Sequence, residues 1–139
     1  MALNAQDSLK LLVNEFVQVN ESTCEIDHNG NKRWFNADGE LHRTDGPAYV
    51  RFNGTKQWHQ NNLLHRTDGP AIEFINGAKH WFQSGDRHRL DGPAVEYVDG
   101  RKLFFVRGKH CDTFKEYFDA IPKENREAAL LLIAEFDCL

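Results

Sequence analysis

Seven histidines and three cysteines are the side chains here most able to bind a metal or attack a substrate, and their spacing limits what they can do. His42, His65 and His88 lie 23 residues apart, each opening a signature His-Arg-x-Asp-Gly-Pro-Ala that ends at Ala48, Ala71 and Ala94. If each signature belongs to one hairpin of a sheet, equivalent histidines sit two strands apart, about 9.5 Å at about 4.75 Å per strand. The ligands of one zinc lie only about 2 Å from the metal, so this column is not expected to form a metal site. A site mixing columns, such as His59 with His80, is the remaining metal reading. Glu73 and Glu96 also stand 23 apart, too far for a tight carboxylate pair, although the wider separation of an inverting pair stays open. Cys111 and His110 supply a thiol and a base, but adjacent residues of a strand point to opposite faces. Motifs for a catalytic triad, a phosphate loop or a dinucleotide fingerprint are absent. The expectation is a protein with no catalytic residues, no metal and no cofactor.

The arginines offer a different chemistry. Arg66 and Arg89, interleaved with Trp58 and Trp81, could line a groove for a nucleotide or another small anion. Charge is segregated: residues 1–30 carry −4, residues 31–111 carry +4 with six of the seven histidines, and residues 112–139 carry −4. This reads either as complementarity between flanks and centre or as a surface for an anionic partner. The overall charge of −4 argues against a dedicated nucleic-acid domain. Within each signature, Arg and Asp two positions apart, as in Arg66 and Asp68, can brace a loop by a charge-assisted hydrogen bond.

The elements that position these residues follow from the same period. Residues 47–52, 70–75 and 93–98 are rich in β-branched and aromatic side chains, with proline only at the first position, and read as strands. Asn53-Gly54, Asn76-Gly77 and Asp99-Gly100 then supply type I′ hairpin turns, and residues 31–36, 55–60, 78–83 and 101–106 are the return strands. The segments carrying His-Arg-x-Asp-Gly read as longer loops. Trp34, Trp58, Trp81 and Phe104 are expected to stack as an aromatic column on one face.

Leu9, Leu12, Val13, Phe16 and Val17 follow helical spacing, predicting an amphipathic helix over 7–19. Asp112-Thr113 caps a helix through Phe114, Tyr117, Phe118 and Ile121, which Pro122 ends; residues 123–136 read as a second, more buried helix. The fold class is thus α+β: an antiparallel β-meander of roughly seven to nine strands, built from tandem 23-residue hairpins. The chain reads as a single domain, 1–139, with β-repeats over 23–110 and a C-terminal helical cap over 112–137. No secretory signal and no membrane span is legible, and three cysteines without metal spacing fit a reducing cytoplasm.

The pattern running from Asn76 to Ala94, with its Trp81, Ser84-Gly85 turn and His88-Arg89-x-Asp91-Gly92-Pro93-Ala94, resembles a MORN-like repeat. It is closest to divergent, Trp-containing variants of bacterial and bacteriophage proteins. The resemblance covers residues 30–110 and implies binding or scaffolding rather than one reaction. Because Arg43, Arg66 and Arg89 lead into Asp-Gly-Pro, lipid binding is not carried over.

The expected function is a non-enzymatic protein–protein interaction module, with a phage-encoded modulator or inhibitor of a host protein as the setting the resemblance suggests. The alternative is a nucleotide- or small-anion-sequestering protein using Arg66, Arg89, Trp58 and Trp81. Pairing through a sheet edge into a homo-oligomer is a further reading. Arg51 and His59 break otherwise aromatic columns, Phe74 and Tyr97 in one case and Phe35, Phe82 and Phe105 in the other, which makes them candidates for a polar binding patch.

Overall fold

The computed structural model describes residues 22–137, so the helix expected at 7–19 lies outside the described residues. In chain order the first strands are β1 (Thr23–Ile26), β2 (Lys32–Phe35), β3 (Tyr49–Val50), β4 (Lys56–Gln57), β5 (His59–Gln60), β6 (Leu63–Leu64) and β7 (Ile72–Glu73). There follow β8 (Lys79–His80), β9 (Phe82–Gln83), β10 (Asp86–Arg87), β11 (Val95–Glu96), β12 (Lys102–Val106) and β13 (Lys109–Cys111). Nine of these form one antiparallel sheet in the order β1-β2-β3-β4-β7-β8-β11-β12-β13, a large meander-like sheet. β5 pairs with β6 and β9 with β10 beside it.

Two rows of hairpins result because the return strands change partners at the tryptophans. The Trp58 and Trp81 amides each donate to an alanine carbonyl, Ala71 and Ala94, at 2.8 Å. The Trp58 and Trp81 carbonyls accept from His65 at 3.0 Å and His88 at 3.2 Å, on the other side of the chain. What reads in sequence as one strand over 55–60 is therefore split between β4, in the large sheet, and β5, in the second row. The second row is itself continuous, since Asn62, Gly85 and Gly108 donate to Leu41, Leu64 and Arg87 at 2.9 Å.

The turn chemistry departs from expectation. In the turns that follow β3, β7 and β11 only the glycine, Gly54, Gly77 or Gly100, has positive φ; the Gly54 amide closes onto Arg51 and the Arg51 amide onto Thr55, each at 2.9 Å. That is a type I turn followed by a left-handed glycine, not type I′. The preceding Asn53, Asn76 or Asp99 instead uses its side chain, accepting from the amide two residues on at 3.0 Å. The I′-like turns lie in the segments read as loops: Asn61-Asn62, Ser84-Gly85 and Arg107-Gly108 each have two successive positive φ values.

Ala48, Ala71 and Ala94 are fully buried, which explains the small residue ending each signature. The main core lies at the C-terminal end, where Phe104, Val106, Cys111, Tyr117, Ile121 and Ala129 cluster. Helix α1 (Phe114–Ala120) supplies Tyr117, and its Thr113 cap accepts from the Glu116 amide at 3.2 Å. The second helix is neither continuous nor the more buried one. Between Lys123 and Asp137 the chain alternates two 3₁₀ turns with α2 (Arg126–Ala129) and α3 (Ile133–Asp137). Leu131 is 85% exposed and Ala129 is buried, while Leu132 and Phe136 pack, partly buried, against the core around Phe104 and Tyr117. No helix among the described residues is long and apolar enough to cross a membrane.

Candidate functional site

Each signature is built around its arginine. The guanidinium carbon of Arg43 stands 4.2 Å from the Trp34 ring centroid, Arg66 3.9 Å from Trp58, and Arg89 4.0 Å from Trp81. The same side chain donates through Nε to the aspartate two residues on, at 2.8 Å for Asp45 and Asp68 and 2.9 Å for Asp91. Through NH1 it reaches the Pro47, Pro70 or Pro93 carbonyl at 3.1–3.3 Å. The loop brace read from sequence is therefore present. The glycine in the signature makes room for it: a Cβ at Gly46, Gly69 or Gly92 would stand 2.9–3.0 Å from the guanidinium carbon. Arg43 holds Asp45, and Arg66 holds Asp68, below the usual carboxylate range, the side-chain hydrogen bond being the main cause.

The histidine joins one unit to the next. His42, His65 and His88 accept through Nδ1 from the amides of Asn61, Ser84 and Arg107, 19 residues on, at 3.1, 3.0 and 2.9 Å. These donors are the first residues of the I′-like turns. Burial holds His88 below its ordinary pKa, keeping the ring in the neutral form that can accept.

Stacked tryptophans are not what forms. Indoles two strands apart, about 9.5 Å, exceed the 4.5–7 Å of an aromatic pair, so each ring takes a guanidinium as its partner. Phe104 differs because no arginine follows it at the equivalent position; Phe136 stacks on it at 3.8 Å and Tyr117 meets it edge-on at 5.1 Å.

Between successive signatures open two clefts of the same design, each of about 500 Å³. The first lies between Arg43–Gly46 and His65–Asp68, with Trp58 and Gln60 along its floor. The second lies 23 residues further, between Arg66–Gly69 and His88–Asp91, with Trp81 and Gln83, and Asn125 reaches it from the helical end. Hydroxyl, amide and carboxylate groups face each cleft, and the aspartates are outermost, with Asp68 82% exposed. Gln60 and Gln83 are a repeated pair 23 residues apart, and that period is the only mark they carry in the sequence.

Arg66 and Arg89 line these clefts without being free in them. Each meets a second carboxylate, Glu73 at 3.0 Å and Glu96 at 3.1 Å, in addition to its aspartate. Two carboxylates per guanidinium leave no unbalanced positive charge for an anion. Trp58 and Trp81 border the clefts half-buried, one face taken by arginine. Arg51 and His59 line neither cleft: Arg51 is exposed at a first-row turn near Tyr49, whereas His59 is buried, 8% exposed, beyond the Trp58 bend. His59 Nε2 lies 3.1 Å from Gln57 Oε1 and burial lowers its pKa, so its side chain is not presented for surface recognition.

Cys111 and His110 do not form a thiol–base pair, and the other cysteine among the described residues, Cys24, is free and exposed. Cys111 is in the core, and burial pushes its thiol pKa up; His110 is exposed and pairs with Asp112 at 3.0 Å. Among the described residues no three His, Cys, Asp or Glu side chains converge as metal ligands would. No protein-family model, curated protein or solved structure matches the chain.

Proposed function

We propose that this protein is a non-enzymatic interaction module of the MORN-like kind, a tandem array of 23-residue hairpin units presenting equivalent clefts to an extended segment of another protein. The observation that carries this reading is the recurrence of the cleft, with Trp58, Gln60, His65 and Asp68 of one replaced by Trp81, Gln83, His88 and Asp91 of the next. Equivalent neighbouring subsites favour a ligand that runs along them, because the second contact is made at high effective concentration once the first has formed. The hydroxyls, amides and outward carboxylates suit the amides and basic side chains of such a segment. The neutralised arginines argue against the nucleotide or small-anion alternative. A phage-encoded role in modulating a host protein is the setting the resemblance suggests, and three cysteines without metal spacing suggest a cytoplasmic location.

The test is to capture partners from bacterial lysate with the intact protein and with Thr44→Arg and Thr67→Arg, alone and together, which crowd the exposed lips of the two clefts. Each single substitution is expected to weaken retention of a specific protein, and the pair to abolish it, with unchanged melting temperature. Undiminished retention by the folded double variant would refute the reading, as would a nucleotide-specific rise in melting temperature without protein capture.

A further inference from the structure

Where equivalent positions do the same structural work, departures from the pattern are informative, and four of them meet in one place. Asp86 stands where the earlier units have Glu40 and Leu63, and Leu90 where they have Thr44 and Thr67. Val106 replaces Gln60 and Gln83, and Arg107 replaces Asn61 and Ser84. All four line one pocket of about 270 Å³ at the junction of the last signature with the helices, which Ala120 and Pro122 close from the helical side.

Leu90 and Val106 are explained by packing, since both belong to or contact the C-terminal core. Asp86 and Arg107 are not. Both are exposed, and neither takes part in an ion pair among the described residues, where Arg89 binds Asp91 and Glu96. Arg107 adopts φ +51°, a conformation its counterparts fill with Asn and Ser and that bulky side chains resist. The turn sets this backbone conformation at all three positions, so it does not account for an arginine at the third. The Asp86 carboxylate lies beside the next residue, its Oδ1 3.4 Å from where a Cβ at Gly108 would stand, so opposite charges flank one opening. His88 adds a donor: with Nδ1 accepting from the Arg107 amide, the neutral ring carries its proton on Nε2.

We propose that this pocket binds a free α-amino acid with an apolar side chain, Arg107 taking the carboxylate, Asp86 the ammonium, and Leu90, Val106 and Pro122 the side chain. A lone anion would face Asp86 and a lone cation Arg107; only a zwitterion satisfies both. At about 270 Å³ the pocket lies just below the roughly 300–1,000 Å³ of drug-sized ligand pockets, which suits a single amino acid and not a nucleotide. The pocket adjoins the second repeated cleft and shares Gln83, His88 and Leu90 with it, but Asp86 and Arg107, the two residues its test substitutes, line this pocket alone.

The experiment is an amide-resonance NMR titration of the full chain with L-leucine, N-acetyl-L-leucine and L-leucinamide. Leucine is expected to shift the Asp86, Arg107 and Gly108 amides, with both blocked analogues weaker by about tenfold or more, the cost of one lost charged hydrogen bond. Asp86→Asn should weaken leucine without weakening N-acetyl-leucine, and Arg107→Gln should weaken leucine without weakening leucinamide. Absence of shifts with leucine on the unsubstituted protein, or equal affinity for all three compounds, would overturn the proposal; so would variants that bind leucine as the parent does.

Discussion

Replacing Arg66 by alanine separates an arginine that holds the fold from one that waits for a ligand. Its guanidinium stacks at 3.9 Å on Trp58 and donates to the Pro70 carbonyl at 3.1 Å, with the side chain only 20% exposed. The stack contributes about 1–2 kcal/mol in this half-buried setting, and a hydrogen bond from a charged donor about 1.5 kcal/mol. The pairs with Asp68 and Glu73 lie nearer the surface and add little. The loss should be about 3 kcal/mol, or about 10 °C in melting temperature for a chain of this length. Urea unfolding followed by tryptophan fluorescence measures it directly, since the stacked indole reports on the site. Arg66→Lys keeps the charge but loses the planar fork, and should recover less than half of the loss. Asp68→Ala, by contrast, should leave the urea midpoint close to the parent, because Arg66 keeps Glu73 and the Pro70 carbonyl. A loss below about 1 kcal/mol for Arg66→Ala, or full recovery with lysine, would refute the brace and return Arg66 to the candidate ligand contacts.

Trp58→Ala should cost about 2 kcal/mol in the same assay, less than the roughly 3–5 of a fully buried ring, because the indole is half-buried; a loss under about 0.5 kcal/mol would mean the ring is free for binding. Tyr117→Phe removes the hydroxyl that accepts from the Gly92 amide and donates to the Arg89 carbonyl, both at 3.3 Å, and should cost about 2 kcal/mol by leaving a buried amide unpaired. An unchanged urea midpoint would show that α1 does not clasp the last signature. Burial lowers the pKa of His59, His80 and His88 below the ordinary 6.5. The unfolded chain then binds protons first, so the contribution of these histidines is full above 6.5 and falls as pH drops below it. Urea midpoints across that range should decline, and a flat profile would contradict the accepting role of His88.

Much of this was legible in one dimension. The 23-residue period, the turn residues and the β-branched runs all express local preference, and the Arg-x-Asp brace spans two residues, so neither needs distant contacts to be read. The cap of α1 at Thr113 is local in the same way. What the sequence could not decide was which of two adjacent hairpin connections takes the tight turn. Asn-Gly suits both a type I′ turn and a left-handed glycine after type I, and the choice fell to the neighbouring row, whose histidine holds the Asn61, Ser84 or Arg107 amide from 19 residues away. Nor could it assign the partners of the tryptophans: the 23-residue period that repeats the indole repeats equally the arginine eight residues after Trp58 and Trp81, so either could be the partner. Only the tertiary structure places the guanidinium in that gap, buries His59, and gathers Asp86, Leu90, Val106 and Arg107 at one opening. The physical reason is that these outcomes depend on distances between strands and on what already fills the space, which local sequence preferences do not encode.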